Sequence, residues 1–340
     1  MSKTLTKEQW EDTNTMTDRA SIKKIGGSDI AAILGLSRWK SAHSLYLHLI
    51  GELLPQEDNN AMERGRKLES VIAHIFAANH EEFWLEKCGI VEDSNYPFLI
   101  GSPDRVICDS SCHDVCPGKT VSGLEIKTAD ISKANEWGDE GTDEIPIEYL
   151  IQCQWCAGLL GVPDWHLAVG FAKPGSKKIV AYREYYIESN QERFEAMKQL
   201  AIDFWNDHVV PKVAPEVTEA DAETVRYYRT KYPQHMPDRW AYSDAEIDRL
   251  AAEYMLAAKN LTVSDMQVKT MKIKLIAAIG ENEGLKTASG NFTYRTTKPT
   301  RRVDWEGAAR SLGINETDEV VKNFTTEQPG HRRFLTPKGK

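Results

Sequence analysis

The chain contains no run of 18 or more apolar residues in its 340, so nothing in it reads as a membrane-spanning helix. Its first segment, Met1 to Asp18, is polar and lacks the apolar stretch of a secretory leader; a cytoplasmic protein is expected. Cysteine is scarce, at six residues, and in a reducing compartment these are expected as thiols rather than disulfides. Positive charge is also short, since 42 Lys and Arg against 51 Asp and Glu leave a net of -9. That excludes a surface basic throughout, and it discourages indiscriminate binding to polyanions. The deficit is uneven: residues 269 to 340 carry 14 basic and 8 acidic side chains, a net of +6, which leaves -15 for the rest.

What is present is a large apolar complement, 41% of residues, enough for one main domain and a smaller one. The stretch Pro211 to Glu219, with two prolines and little apolar content, reads as the linker. The expected division is a core over residues 1–213 and an accessory region over 214–340 built from a long helix and basic strands. Ser189-x-x-Glu192 and Ser243-x-x-Glu246 read as capping boxes opening helices. Helices are also expected over 29–50 and 221–231, and strands at Trp165 to Phe171, Ala181 to Ile187, Phe292 to Arg295 and Arg333 to Leu335, the last two flanking the basic run Lys298 to Arg302.

Five polar residues carry the chemistry. In Gly123-Leu124-Glu125-Ile126-Lys127, apolar and charged residues alternate, so a strand places Leu124 and Ile126 on one face and Glu125 and Lys127 on the other. A solvent-facing strand pair gives the same alternation. Asp104 follows the turn Gly101-Ser102-Pro103, between the short apolar run Phe98-Leu99-Ile100 and the extended Arg105-Val106-Ile107, where a strand pair bends. Glu69 borders the apolar face of a helix marked by Leu68, Val71, Ile72, Ile75 and Phe76 and running to about His80. Gln152 shares a helical stripe with Tyr149 and Cys156, with Leu150, Ile151 and Leu159 on the apolar side. Three carboxylates and a lysine in this order suit metal-assisted phosphodiester hydrolysis: carboxylates hold hard divalent cations, which offset phosphate charge and acidify the attacking water.

Two cysteine groupings carry less. Cys108, Cys112, His113 and Cys116 lack the paired Cys-x2-Cys of common zinc modules and are expected as a polar loop with free thiols, metal binding being the alternative. Cys153 and Cys156 fall on the Gln152 helix without the context of a redox pair, and helix packing is expected of them.

Taken together, Gly26-Gly27-Ser28-Asp29-Ile30-Ala31-Ala32, Gly65-x-x-x-Glu69, Gly101-Ser102-Pro103-Asp104, Leu124-Glu125-Ile126-Lys127 and Tyr149-x-x-Gln152-x-Gln154 resemble the lambda exonuclease and YqaJ-type viral recombinase family, within the PD-(D/E)XK nucleases. The resemblance covers roughly residues 18 to 210 and rests on ordered motifs. It implies an α/β fold, a central mixed β-sheet flanked by helices in a restriction-endonuclease-like core, with a smaller helical and β-hairpin C-terminal region. It implies that Asp104, Glu125 and the backbone carbonyl of Ile126 hold Mg2+, which Mn2+ would replace, with Glu69 completing a second metal position. Lys127 would position or deprotonate the water, and Gln152 with Tyr149 would orient it. Ser28 would bind the 5′-phosphate, helped by an arginine or lysine drawn from Arg19, Lys23 and Lys24. Gln154 and Arg105 are secondary candidates, Arg105 as a phosphate contact where relatives carry glycine.

The activity implied is 5′-to-3′ digestion of one strand of linear double-stranded DNA, leaving a 3′ single strand for an annealing protein. A homo-oligomer, by resemblance a ring trimer, in the cytoplasm of a bacterial host of phage or prophage origin would complete the picture. An endonuclease shares every metal ligand and remains an alternative, as does a catalytically inactive DNA-binding scaffold.

Overall fold

A computed structural model of the protein describes residues 23–53, 60–109, 119–176, 178–218, 220–234, 237, 240–296, 304, 309–314, 318–323 and 325. They fall into two compact units, Met1–Lys231 and Tyr232–Lys340.

The first unit is built on a five-stranded mixed sheet. Its strands are β1 (Phe83–Glu86), β4 (Arg105–Asp109), β5 (Thr120–Asp130), β6 (Asp164–Ala172) and β7 (Ile179–Glu188), in that spatial order. Every pairing is antiparallel except β5 with β6, which run parallel. A two-stranded pair, β2 (Val91–Glu92) with β3 (Ile100–Gly101), lies beside it. Helices cover both faces, the layered arrangement that buries an apolar sheet on each side.

On one face lies helix α3 (Asn60–Asn79). Its Leu68, Ile72 and Phe76 meet Ile107, Leu124, Ile126 and Ala168 from the sheet. Val71, expected on that stripe, is 46% exposed; the burying contacts follow the i, i+4 row, and Val71 falls outside its edge. On the other face sit α1 (Gly27–Ile33), α2 (Ala42–Leu49), α4 (Ile147–Leu160) and α5 (Gln191–Phe204), around Trp155, Trp165, Leu167 and Phe171. Helix α4 fills the crossover between parallel β5 and β6 and ends at Gly161, whose φ of 67° suits glycine.

Several local expectations shift. The single helix read over 29–50 is two, broken at Leu34 to Lys40 by turns. The cap of α5 is Asn190, which accepts from Arg193 N–H at 2.9 Å, one residue after the serine of the supposed box. Asn and Asp cap as well as Ser, and the same displacement recurs below.

The first unit runs past the anticipated boundary at residue 213. Helix α6 (Ala222–Lys231) is tied back to the α2 region: Asp221 accepts from Ser41 Oγ, and Tyr227 donates to Glu52. The second unit contains the long helix α7 (Ala245–Ile279), a hairpin of β8 (Gly284–Thr287) with β9 (Gly290–Thr293), and the short α8 (Glu319–Asn323). Asp244, again one residue after the serine, caps α7 by accepting from Ile247 N–H at 2.9 Å. The strand expected at Arg333–Leu335 and the basic run Lys298–Arg302 lie outside the described residues. No described helix is long and apolar enough to cross a membrane.

Candidate active site

The period-2 geometry of β5 does what its sequence dictates. Leu124 and Ile126 turn to the α3 side, while Glu125 and Lys127 turn toward α4. There Lys127 Nζ donates to Glu125 Oε1 at 2.6 Å and to Gln152 Oε1 at 3.0 Å. Gln152 Nε2 donates to the same Glu125 oxygen at 2.7 Å, closing a three-membered polar ring. The Tyr149 ring lies 4.9 Å from the Lys127 ammonium and stacks on Trp137 at 5.6 Å. Glu125 is 2% exposed, and its second oxygen has no hydrogen-bond partner.

Asp104 reaches the same place from the bend before β4. Its Oδ2 accepts from Ile126 N–H at 2.8 Å, so the turn is pinned to the strand that carries Glu125 and Lys127. Burial and the Glu125 charge, opposed by Lys127, push the Asp104 carboxyl up to about 8. Burial works against the charge on Lys127, yet Glu125 and Asp104 hold its ammonium well above the ordinary value. The balance shows two crowded carboxylates that one lysine does not fully compensate.

Glu69 and Arg105 are placed differently from expectation. Arg105 is buried and donates to Glu69 Oε1 at 2.9 Å and to the Asp104 carbonyl. It is therefore a brace between α3 and the Asp104 bend, which places it away from the role of free phosphate contact. Glu69 points toward this brace, and among the described residues no three His, Cys, Asp or Glu side chains come close enough to form a metal cluster.

The cleft holding Asp104, Glu125, Lys127 and Gln152 has a volume of about 400 Å³, and Ser28, Lys40 and Ser102 also line it. Ser28 stands exposed in the first turn of α1, where Asp29 accepts from Gly26 N–H at 2.9 Å. Glycine at 27 allows a close approach: a Cβ there would lie 3.1 Å from the Trp155 ring and 3.3 Å from Gln152 Cγ. That contact sets the α1 segment beside the catalytic candidates. Of the basic candidates near it, Lys24 pairs with Glu92, Lys23 is exposed and Arg19 lies outside the described residues.

Lys40 is a further residue of the cleft. Its Nζ lies 2.8 Å from Asp29 Oδ1 inside the cleft, and it sits in an irregular connection that carries no periodic signal. Gln154 is the opposite case. It is buried on the far side of α4, donating to the Glu188 carbonyl at 2.6 Å and accepting from Asn190 N–H at 2.9 Å. Two residues along a helix turn a side chain about 200°, so Gln154 splints the β7–α5 turn and is not part of the site with Gln152. Cys153 and Cys156 are buried, and burial raises both thiols, as helix packing requires. Cys108 is buried in β4, while Cys112, His113 and Cys116 lie outside the described residues.

Residues 17–160 match the YqaJ-like viral recombinase domain. The uncharacterized protein YqaJ of Bacillus subtilis (strain 168) is 28% identical over 251 residues, 74% of this chain and 73% of that one. Among solved structures, the alkaline exonuclease LHK-Exo from Laribacter hongkongensis is similar at a TM-score of 0.43 and 16% identity, over 63% of this chain and 96% of that one. A phage related exonuclease from Haemophilus somnus 129PT is similar at 0.38 and 13%, over 54% of this chain and 94% of that one.

Proposed function

We propose, from the match of residues 17–160 to the YqaJ-like viral recombinase domain, that the chain is a magnesium-dependent deoxyribonuclease, a 5′-to-3′ exonuclease acting on the ends of linear double-stranded DNA. The observation that carries the reading is the ring of Glu125, Lys127 and Gln152 facing Asp104 in one cleft with Ser28.

The donor set fits a hard cation. Glu125 keeps an unpartnered buried oxygen, Asp104 is pushed up by burial and a neighbouring carboxylate, and oxygen ligands are what Mg2+ favours. Asp104, Glu125, the Ile126 carbonyl and, after release from Arg105, Glu69 would hold it. When bound, such an ion supplies charge neutralisation at the phosphate and a more acidic water. The chain's own residues do the rest. Lys127, held charged by Glu125 and Asp104, presents a fixed positive charge and a proton at Nζ. Gln152 fixes that ammonium by accepting from it while its amide donates to Glu125. Ser28 and Lys40 offer a hydroxyl and an ammonium to a terminal 5′-phosphate in the same cleft.

A 3′ single strand left by this reaction would be the substrate for an annealing protein, the role such an enzyme would take in phage-type recombination. The deciding experiment compares linear with covalently closed duplex in Mg2+, with an end label on each strand. Digestion of linear DNA alone, with loss of 5′ label as mononucleotide, is expected. Equal cleavage of closed circles would replace the reading with an endonuclease, and no cleavage of either would leave a DNA-binding scaffold.

A further inference from the structure

Helix α7 runs for 35 residues, about 52 Å at 1.5 Å per residue. Isolated helices of that length need a partner for their apolar side chains. Here those side chains are exposed: Ile247 is 51% accessible, Leu250 60%, Leu261 72% and Val268 64%. They are also ordered along the chain. Ile247, Tyr254, Leu261, Val268 and Leu275 recur every seven residues, and Leu250, Ala257, Ser264, Met271 and Ala278 repeat at the same interval three residues later. Leu256, Val263, Met266 and Ile273 are exposed outside these two rows, but the two rows alone hold no charged residue over five heptads, the pattern of a coiled-coil seam.

We propose that this seam pairs with the same helix of a second copy of the chain, antiparallel. Side-chain size argues for that direction. An in-register parallel pair stacks Ala257, Ser264 and Ala278 each on itself and leaves thin layers. In the antiparallel pair centred between Leu261 and Ser264, every small residue meets a large one: Ala257 faces Val268, Ser264 faces Leu261 and Ala278 faces Ile247. Such alternation fills the layers without voids.

Charge gives the same direction independently. Glu246 and Glu253 flank the seam in the first half of the helix, and Lys272 and Lys274 flank it in the second. Reversal brings Lys274 of one copy to Glu253 of the other, twice per pair. In the parallel alignment Glu253 faces Ala258 and Lys274 faces Ile279, with no ion pair. Within one helix Glu253 has an exposed contact with Arg249 at 3.8 Å, while Asp265, also flanking the seam, is matched by Lys269 at 2.6 Å; such exposed pairs are weak and exchangeable.

The test uses the full-length chain and light scattering after size exclusion. Replacing Leu261→Lys together with Val268→Lys should halve the particle mass, whatever assembly the first unit makes, while melting followed by the buried Trp155 and Trp165 stays unchanged. Glu253→Lys and Lys274→Glu should each raise the dissociation constant at least tenfold at low salt, and the double reversal should restore it to within threefold. A parent already at the mass of the seam variant, or a mass the seam variant leaves unchanged, would overturn the pairing. Single reversals without effect, or a double reversal that does not rescue, would overturn the antiparallel register.

Discussion

Lys127→Met keeps the aliphatic length of the side chain and removes the ammonium, and so isolates the charge on which the proposed chemistry depends. It deletes the 2.6 Å bond to Glu125 and the 3.0 Å bond to Gln152. Glu125, 2% exposed and with one oxygen already unpartnered, then keeps only the Gln152 amide at 2.7 Å. Removing one partner of a buried ion pair costs about 3–5 kcal/mol. The Lys127 side chain retains 21% exposure at the cleft, so water relieves part of that and about 3 kcal/mol is expected. Glu125→Gln leaves Lys127 near Asp104 and should cost about 2 kcal/mol. The double variant leaves neither the Glu125 nor the Lys127 charge unmatched by the other, and its loss should stay near 2 kcal/mol rather than the additive 5, a coupling of about 3 kcal/mol. Urea unfolding with chelator present, followed by Trp155 and Trp165 emission, measures all four corners. Additivity within about 0.5 kcal/mol would refute the energetic pairing, and hydrolysis retained by Lys127→Met would refute its catalytic role.

Four further outcomes are expected. Ser28→Ala should erase the preference for 5′-phosphorylated over 5′-hydroxyl ends while leaving the fold intact, read from initial rates on matched duplexes. Saturating Mg2+ at about 100 times its dissociation constant should stabilise the parent by about 2.7 kcal/mol, and Asp104→Asn should abolish the shift in a thermal melt without DNA. Gln154→Ala should cost about 1–3 kcal/mol by stranding the Glu188 carbonyl and Asn190 N–H, with hydrolysis per folded molecule unchanged, unlike Gln152→Ala. His80 tests a pair remote from the cleft. Burial opposes its charge, but Glu184 at 2.6 Å raises its pKa, and despite its own burial Glu184 is lowered by His80, Tyr182 and Asn79. A raised histidine stabilises below its unfolded value and loses that as pH rises; a lowered glutamate stabilises above its own and loses that as pH falls. The deficit of His80→Asn should therefore be largest between 4.5 and 6.5, the ordinary values of the two groups, at about 0.5–1 kcal/mol, and should fade above pH 7. A deficit constant with pH would show that ring packing against Phe76 and Phe83 matters instead.

The sequence by itself determined what depends on local period. Alternation along Leu124 to Lys127 separated the packing face from the chemical face, and the i, i+4 row of Leu68, Ile72 and Phe76 set the inward side of α3, because backbone geometry alone orients those side chains. Both helix starts carry a capping signal, but serine and its Asn or Asp neighbour offer the same acceptor, so only the folded chain chose Asn190 and Asp244. Everything that depends on meeting across the chain was decided by tertiary structure. Arg105 braces Glu69 because the Asp104 bend delivers it to α3, Gln154 leaves the site because α4 has two sides with different neighbours, and Lys40 joins the site through its ion pair with Asp29 of α1. Sequence order supplied the carboxylates, the lysine and the glutamine; packing decided which carboxylate stays bound to arginine and which face each other in the cleft.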